Sequence, residues 1–84
     1  MVSHQDFERV SRQVRLNRGR TTISLERIYW QELEDIAHLS GWPMRRLLIA
    51  IERECQNALS NEGKKGRFNF SSALRVWFFD YRRR

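Results

Sequence analysis

The sequence predicts a mainly α-helical fold with one short β-strand. Two stretches with helical spacing of apolar residues follow each other directly, and residues 20–25 before them alternate between apolar and polar side chains. At 84 residues, the chain is close to the lower limit at which one hydrophobic core stabilises a domain. We therefore expect a single domain that gains additional core from a second copy.

The predicted strand has one apolar and one polar face. Ile23 and Leu25 lie on the first, and Arg20, Thr22 and Ser24 on the second, because successive side chains of a strand point to opposite sides. The preceding residues 1–17 are polar, with few apolar side chains. We expect them to form a flexible basic arm.

Two helices are predicted next, over residues 26–40 and from Pro43 to about residue 59. The apolar stripe of the first is centred on Leu33, and the second has a continuous apolar face. Gly41 is expected to end the first helix in the left-handed conformation, and proline is favoured at the start of the next helix.

The C-terminal part consists of a predicted loop over residues 60–68 and a segment over 69–84, with a third helix through Tyr81 and a basic tail. Asn69 or Ser71 could cap this helix. Its aromatic side chains are expected to pack on the core of the preceding strand and helices, because Ile28 and Leu39 lie together on a flank of the first helix and need cover. Alternatively, residues 68–81 dock a partner protein.

Charge is distributed unevenly along the chain. The net charge of +6 divides into +3 for residues 1–25, −2 for 26–54 and +5 for 55–84. Arginine dominates the positive charge, and guanidinium groups bind phosphate oxygens in a bidentate manner. This distribution favours a partner that carries phosphates, nucleic acid above all.

Several classes of protein are not expected. No apolar run is long enough to span a membrane and no secretory signal opens the chain, so we expect a cytoplasmic protein. Cys55 is the single cysteine, and the two histidines have no metal-ligand spacing relative to it. We therefore predict no metal, no cofactor and, because no catalytic grouping is apparent, no enzymatic activity.

A lone strand followed by helices would leave its backbone amides and carbonyls unpaired. The same strand from a second copy, related by a two-fold axis, could pair with it in an antiparallel manner. The sequence therefore predicts a homodimer.

The pattern of these elements resembles the ribbon-helix-helix superfamily of DNA-binding proteins. It runs through Arg20-x-Thr22-Ile23-Ser24-Leu25-Glu26, Leu33, Ile36-Ala37, the Gly41 turn and Leu47-Leu48, within a domain over residues 18–59. The stretch from Asn69 to Val76 further resembles a subgroup with a C-terminal extension. The resemblance implies an intertwined homodimer with an intermolecular two-stranded antiparallel sheet, plus a C-terminal helix.

The resemblance also implies residue roles. Arg20, Thr22 and Ser24 would contact base edges in the major groove, although Ser24 could instead cap the first helix. Independently of the resemblance, arginines in the first turn of the second helix oppose its dipole, and a bound phosphate would reverse this. We therefore expect phosphate contacts at Pro43, Met44, Arg45 and Arg46, and at Arg18 before the strand; alternatively, Arg45 and Arg46 are solvated. Pro43 stands where the family often has serine or threonine, so a hydroxyl contact is lost there while backbone amides remain. The dimer core would comprise Ile23, Leu25, Leu33, Ile36, Leu47, Leu48 and Ile51.

The implied function is that of a bacterial-type transcriptional regulator, a repressor, whose dimers bind a short duplex operator and could form arrays along it. A second interpretation is an antitoxin-like interaction module that uses the C-terminal aromatic segment. A third is binding to RNA or an acidic membrane through charge alone. Only the first predicts preference among duplex DNA sequences.

Overall fold

In the parts of the chain that the structure describes, a short 3-10 turn is followed by two antiparallel strands and three α-helices. A computed structural model describes residues 1–17, 19–61 and 68–83. The elements are a 3-10 turn at His4–Phe7, β1 (Arg9–Leu16), β2 (Gly19–Glu26), α1 (Arg27–Ser40), α2 (Met44–Asn61) and α3 (Phe70–Arg82). The three predicted helices are present. Of the predicted loop over residues 60–68, residues 60 and 61 still belong to α2, and 62–67 lie outside the described residues, as do Arg18 and Arg84.

The strands β1 and β2 form a hairpin within one chain. Their register runs from Arg9 opposite Glu26 to Leu16 opposite Gly19. Gly19 follows the turn with a φ of 114°, a conformation that glycine adopts without the steric penalty of a Cβ atom. The sheet therefore needs no second chain to pair β2.

This hairpin corrects two predictions. The prediction of a flexible arm over residues 1–17 was wrong for residues 9–16, which form β1. The strand that was predicted to stand alone is β2, and it has a partner in its own chain. The inference that β2 must pair with a second copy loses its basis. The alternation of β1 was missed because Arg12 occupies a position on the same face as Val10 and Val14.

Arg12 can occupy that face because its charge is satisfied at the rim of the core. Its guanidinium lies 4.6 Å from the centroid of the Trp30 ring and 3.3 Å from Glu34 Oε1. An arginine stem can cover apolar surface while its head stays in water. Trp30 Nε1 also donates to the backbone oxygen of Val10 at 2.9 Å, so α1 holds β1 in place.

One hydrophobic core joins the inner face of the hairpin to all three helices. Its buried residues are Leu16, Ile23, Leu25, Trp30, Leu33, Ile36, Ala37, Leu47, Leu48, Ile51, Phe70, Leu74, Trp77 and Phe78. The seven residues predicted as the dimer core are all among them, each at most 7% exposed. Their burial requires no second copy, and a role for them in a dimer stays a prediction.

The boundary between α1 and α2 has the predicted form. Gly41 is left-handed, with a φ of 71°, and the Trp42 amide donates to the Ala37 oxygen at 3.0 Å, which closes the end of α1. At the other end of α1 the N-cap residue is Glu26. Ser24 lies within β2 instead, so its alternative role as a cap was wrong.

The helix α3 packs against β2 and α2. Asn69 caps it by accepting the Ser72 amide at 3.1 Å, as the sequence allowed. The expected packing of this segment on the core is confirmed, since Phe70, Leu74, Trp77 and Phe78 are buried there. The expected cover of the α1 flank was wrong, because Ile28 is 39% and Leu39 84% exposed. Within the described residues no helix has the length and apolar character needed to cross a membrane.

Candidate nucleic-acid interface

The outer face of the hairpin, which points away from the core, consists entirely of polar and charged side chains. Cross-strand partners share a face and neighbours along a strand alternate, so the register defines its members. They are Arg9, Ser11, Gln13 and Arg15 from β1 and Arg20, Thr22, Ser24 and Glu26 from β2. All are exposed except Ser24 and Glu26, which are half-buried.

The three residues predicted to contact bases lie together on this face. Arg20 and Thr22 are exposed. Ser24 is less accessible because its backbone amide donates to Ser71 Oγ at 3.1 Å and its backbone oxygen lies 3.5 Å from Arg75 Nη2. The contact with α3 therefore occupies both the amide and the oxygen of Ser24.

Sequence reasoning missed the half of the outer face that β1 supplies. Ser11, Gln13 and Arg15 lie directly opposite Ser24, Thr22 and Arg20, respectively. The sequence does contain a pattern that indicates β1: polar residues recur at every second position over residues 9–15, and Asn17 and Gly19 are residue types that favour a hairpin turn.

The charge of the outer face differs between its two ends. At the hairpin tip Arg15 lies opposite Arg20, and no ion pair joins either one to a carboxylate within residues 1–17, 19–61 and 68–83. Like charges directly opposite each other destabilise a sheet. This arrangement is typical of a surface that binds an anion.

At the hairpin base, Glu26 compensates the positive charge. It lies 3.4 Å from Arg9 Nη2 and 2.9 Å from Arg75 Nη2. A hydrogen bond from its own backbone amide, followed by the one from Arg75, lowers the pKa of Glu26 against the opposing effect of burial. The Glu26 side chain therefore stays ionised and joins β2 to α3.

Arg45, at the start of α2, lies beside the hairpin tip. Its Nε donates to the backbone oxygen of Arg15 at 2.8 Å, which leaves the other four N–H donors of the guanidinium for further partners. The Arg46 guanidinium lies 4.4 Å from the centroid of the Trp42 ring. Of the other predicted phosphate contacts, Pro43 is exposed and Met44 half-buried, and Arg18 lies outside the described residues.

The comparisons with known proteins identify the family. The ribbon-helix-helix domain family matches residues 9–82. The chain belongs to this family. The ribbon-helix-helix match extends past the predicted boundaries of 18–59 at both ends, so it includes β1 and α3.

A solved structure supports the same fold. An uncharacterized protein from Bordetella pertussis Tohama I superimposes with a TM-score of 0.70 at 30% sequence identity. The alignment covers 96% of this chain and 61% of that one, so the ribbon-helix-helix chain spans about three-fifths of that protein's length. No curated protein matches the chain.

Membership of the ribbon-helix-helix family supports DNA binding in general terms. Domains of this family are DNA-binding modules that typically lack enzymatic activity, and they generally bind DNA as dimers. Within the described residues no three histidine, cysteine, aspartate or glutamate side chains form a group suited to a metal ion.

Proposed function

We propose that the chain is a transcriptional regulator, a repressor, that binds duplex DNA sequence-specifically as a homodimer. The observation that carries this proposal is the outer face of the hairpin, which has no apolar side chain. At its tip it has an arginine pair that no carboxylate of the described residues compensates. A two-stranded ribbon fits the major groove, where each base pair presents a distinct pattern of donors and acceptors.

Arg20, Thr22 and Ser24 are the proposed base contacts on β2. Arginine can span O6 and N7 of guanine, and hydroxyls reach base edges or the thymine methyl group. The exposure of Arg20 and Thr22 at the tip half of the hairpin suits this role. The half-buried Ser24 would contribute least.

The proposed phosphate contacts flank the hairpin tip. Free amides at a helix N-terminus attract anions, and the bond from Arg45 to Arg15 brings the start of α2 next to β1. Arginines in the first turn of a helix oppose its dipole, and a bound phosphate would reverse that unfavourable interaction. Pro43 to Arg46 would therefore position the hairpin without reading sequence.

The proposal is tested in two steps. The wild-type protein first selects duplexes from a random pool, and the affinity of the Arg20→Ala variant for the selected duplex and for unrelated DNA is then measured by titration. The variant should lose preference for the selected duplex while salt-dependent binding to unrelated DNA persists. Arg82→Ala is the matched control, because it removes the same charge from a residue paired with Glu32 on α1. A wild-type protein that selects no duplex sequence, or an Arg20→Ala variant that weakens binding to all DNA equally, would contradict the proposal.

A further inference from the structure

The two-stranded ribbon of this protein is complete within one chain. Eight residues of β1 pair with eight of β2 from base to tip. The bond from the Arg27 amide to the Glu8 oxygen, 2.7 Å long, extends this pairing beyond the strands. Alternate side chains of both strands therefore share one outer face of one subunit.

The helix α3 lies along the other edge of β2. In an antiparallel pair the backbone groups of alternate residues point away from the partner strand. At Ser24 those outward groups meet α3, where the amide donates to Ser71 Oγ and the oxygen lies near Arg75. A strand from a second copy could bond to Ser24 only after α3 had moved.

Side chains of α1 and α2 hydrogen-bond to the backbone of β1 at two points. Trp30 donates to Val10, and Arg45 donates to Arg15, so both halves of β1 have a side-chain contact to their backbone. Gln13 lies between these two anchored residues. It is exposed and directly opposite Thr22.

We infer that β1 supplies half of the base-reading surface, with Gln13 reading an adenine and Arg15 a guanine from the same ribbon as Arg20 and Thr22. This inference rests on the proposed function. The amide of glutamine can bond to N6 and N7 of adenine in a bidentate manner, as arginine does with guanine. Each subunit of a dimer then inserts its own ribbon, and two chains read two separate half-sites.

Gln13→Ala tests the reading role. Repeated selection should show that the preference for adenine is lost at one position of each half-site, and affinity for the wild-type duplex should fall about 5- to 150-fold. Gln31→Ala, an exposed glutamine on α1, is the matched control and should leave both unchanged. A Gln13→Ala variant that selects the wild-type sequence with wild-type affinity overturns the inference.

A cross-link tests whether the ribbon comes from one chain. Val14 and Thr21 are direct partners on the inner face, at a separation that suits a disulfide. In a Cys55→Ser background, oxidation of Val14→Cys/Thr21→Cys should give a single-chain species that still binds the selected duplex. A covalent dimer, or a locked chain that binds only after reduction, overturns the inference.

The outcomes separate this inference from the proposed function. A wild-type protein without any duplex preference would end both. A wild-type protein that selects a duplex, with Gln13→Ala selecting the same one, would end the inference alone and leave β2 as the reading strand.

Discussion

The two ends of the hairpin's outer face use arginine in different ways. At the base, Arg9 lies opposite Glu26, and Glu26 also binds Arg75 of α3. At the tip, Arg15 lies opposite Arg20 without a carboxylate on either among the described residues. The base therefore uses charge to hold the fold together, whereas the tip leaves charge available for a ligand.

This difference also orients the proposed complex. A carboxylate repels phosphates, so the base with Glu26 is expected to lie away from the duplex. The tip carries two positive charges whose mutual repulsion a bound anion would relieve. Variants at the two ends should therefore separate stability from binding.

The largest expected effect comes from the inner face, which supports both ends. Ile23 is fully buried in β2, and Ile23→Ala should lower the free energy of unfolding by about 2–5 kcal/mol through lost burial and the cavity left behind. Urea denaturation would measure this loss. Thr22→Ala, the exposed neighbour, should change the free energy of unfolding by about 0.5 kcal/mol or less; equal losses for the two would show that the inner face does not support the hairpin.

At the tip, Arg15→Gln should weaken binding to a selected duplex by about 1–3 kcal/mol. It should leave the free energy of unfolding unchanged or slightly higher, because it removes the repulsion with Arg20. Titration with labelled duplex and urea denaturation of the same preparation would give both values. A variant that unfolds more easily while binding normally would reverse the assignment of tip and base.

At the base, Glu26→Gln should lower the free energy of unfolding by about 1–2 kcal/mol because it weakens the bonds from Arg75 and Arg9. The matched control is Glu8→Gln, whose ion pair with Arg27 is longer, at 3.8 Å, and exposed. That control should cost about 0.5 kcal/mol or less. If the two substitutions destabilise the protein equally in urea, Glu26 has no special role at the base.

The smallest expected effect is the pH dependence of the contribution that Glu26 makes to the free energy of unfolding. Because the folded-state pKa of Glu26 lies below its ordinary value of 4.5, the unfolded chain binds more protons there as pH falls. The stabilisation is therefore complete above about pH 4.5 and is lost as pH drops through the lowered pKa. The difference in urea midpoint between wild type and Glu26→Gln should shrink over that range, and a difference that grows on acidification would contradict the sign.

The helices could be predicted from sequence because each buries one regular stripe, and Gly41 marks the end of α1 without help from distant residues. The strand β1 could not be predicted in this way, because Arg12 interrupts the apolar residues on its inner face. The arginine is tolerated there because it contacts the Trp30 ring and Glu34, which are distant in sequence. Half of the candidate site was missed with that strand.

The position of α3 in the fold could also not be predicted from the spacing of its apolar residues. Its apolar residues identify a helix that needs burial, but contacts such as Ser71 with Ser24 join residues 47 apart in sequence. Spacing along α3 alone does not distinguish the edge of β2 from the flank of α1. The expectation that it covered Ile28 and Leu39 failed for this reason.

The contact between α3 and Ser24 has a consequence for the solubility of the chain. Exposed strand edges recruit strands from other molecules, and proteins suppress such edge-to-edge aggregation by covering the edge. Ser71 and Arg75 provide this cover at Ser24 of β2. Proteolytic fragments that end before α3 will therefore tend to precipitate, both from the uncovered edge and from the apolar surface that Leu74 and Phe78 leave behind.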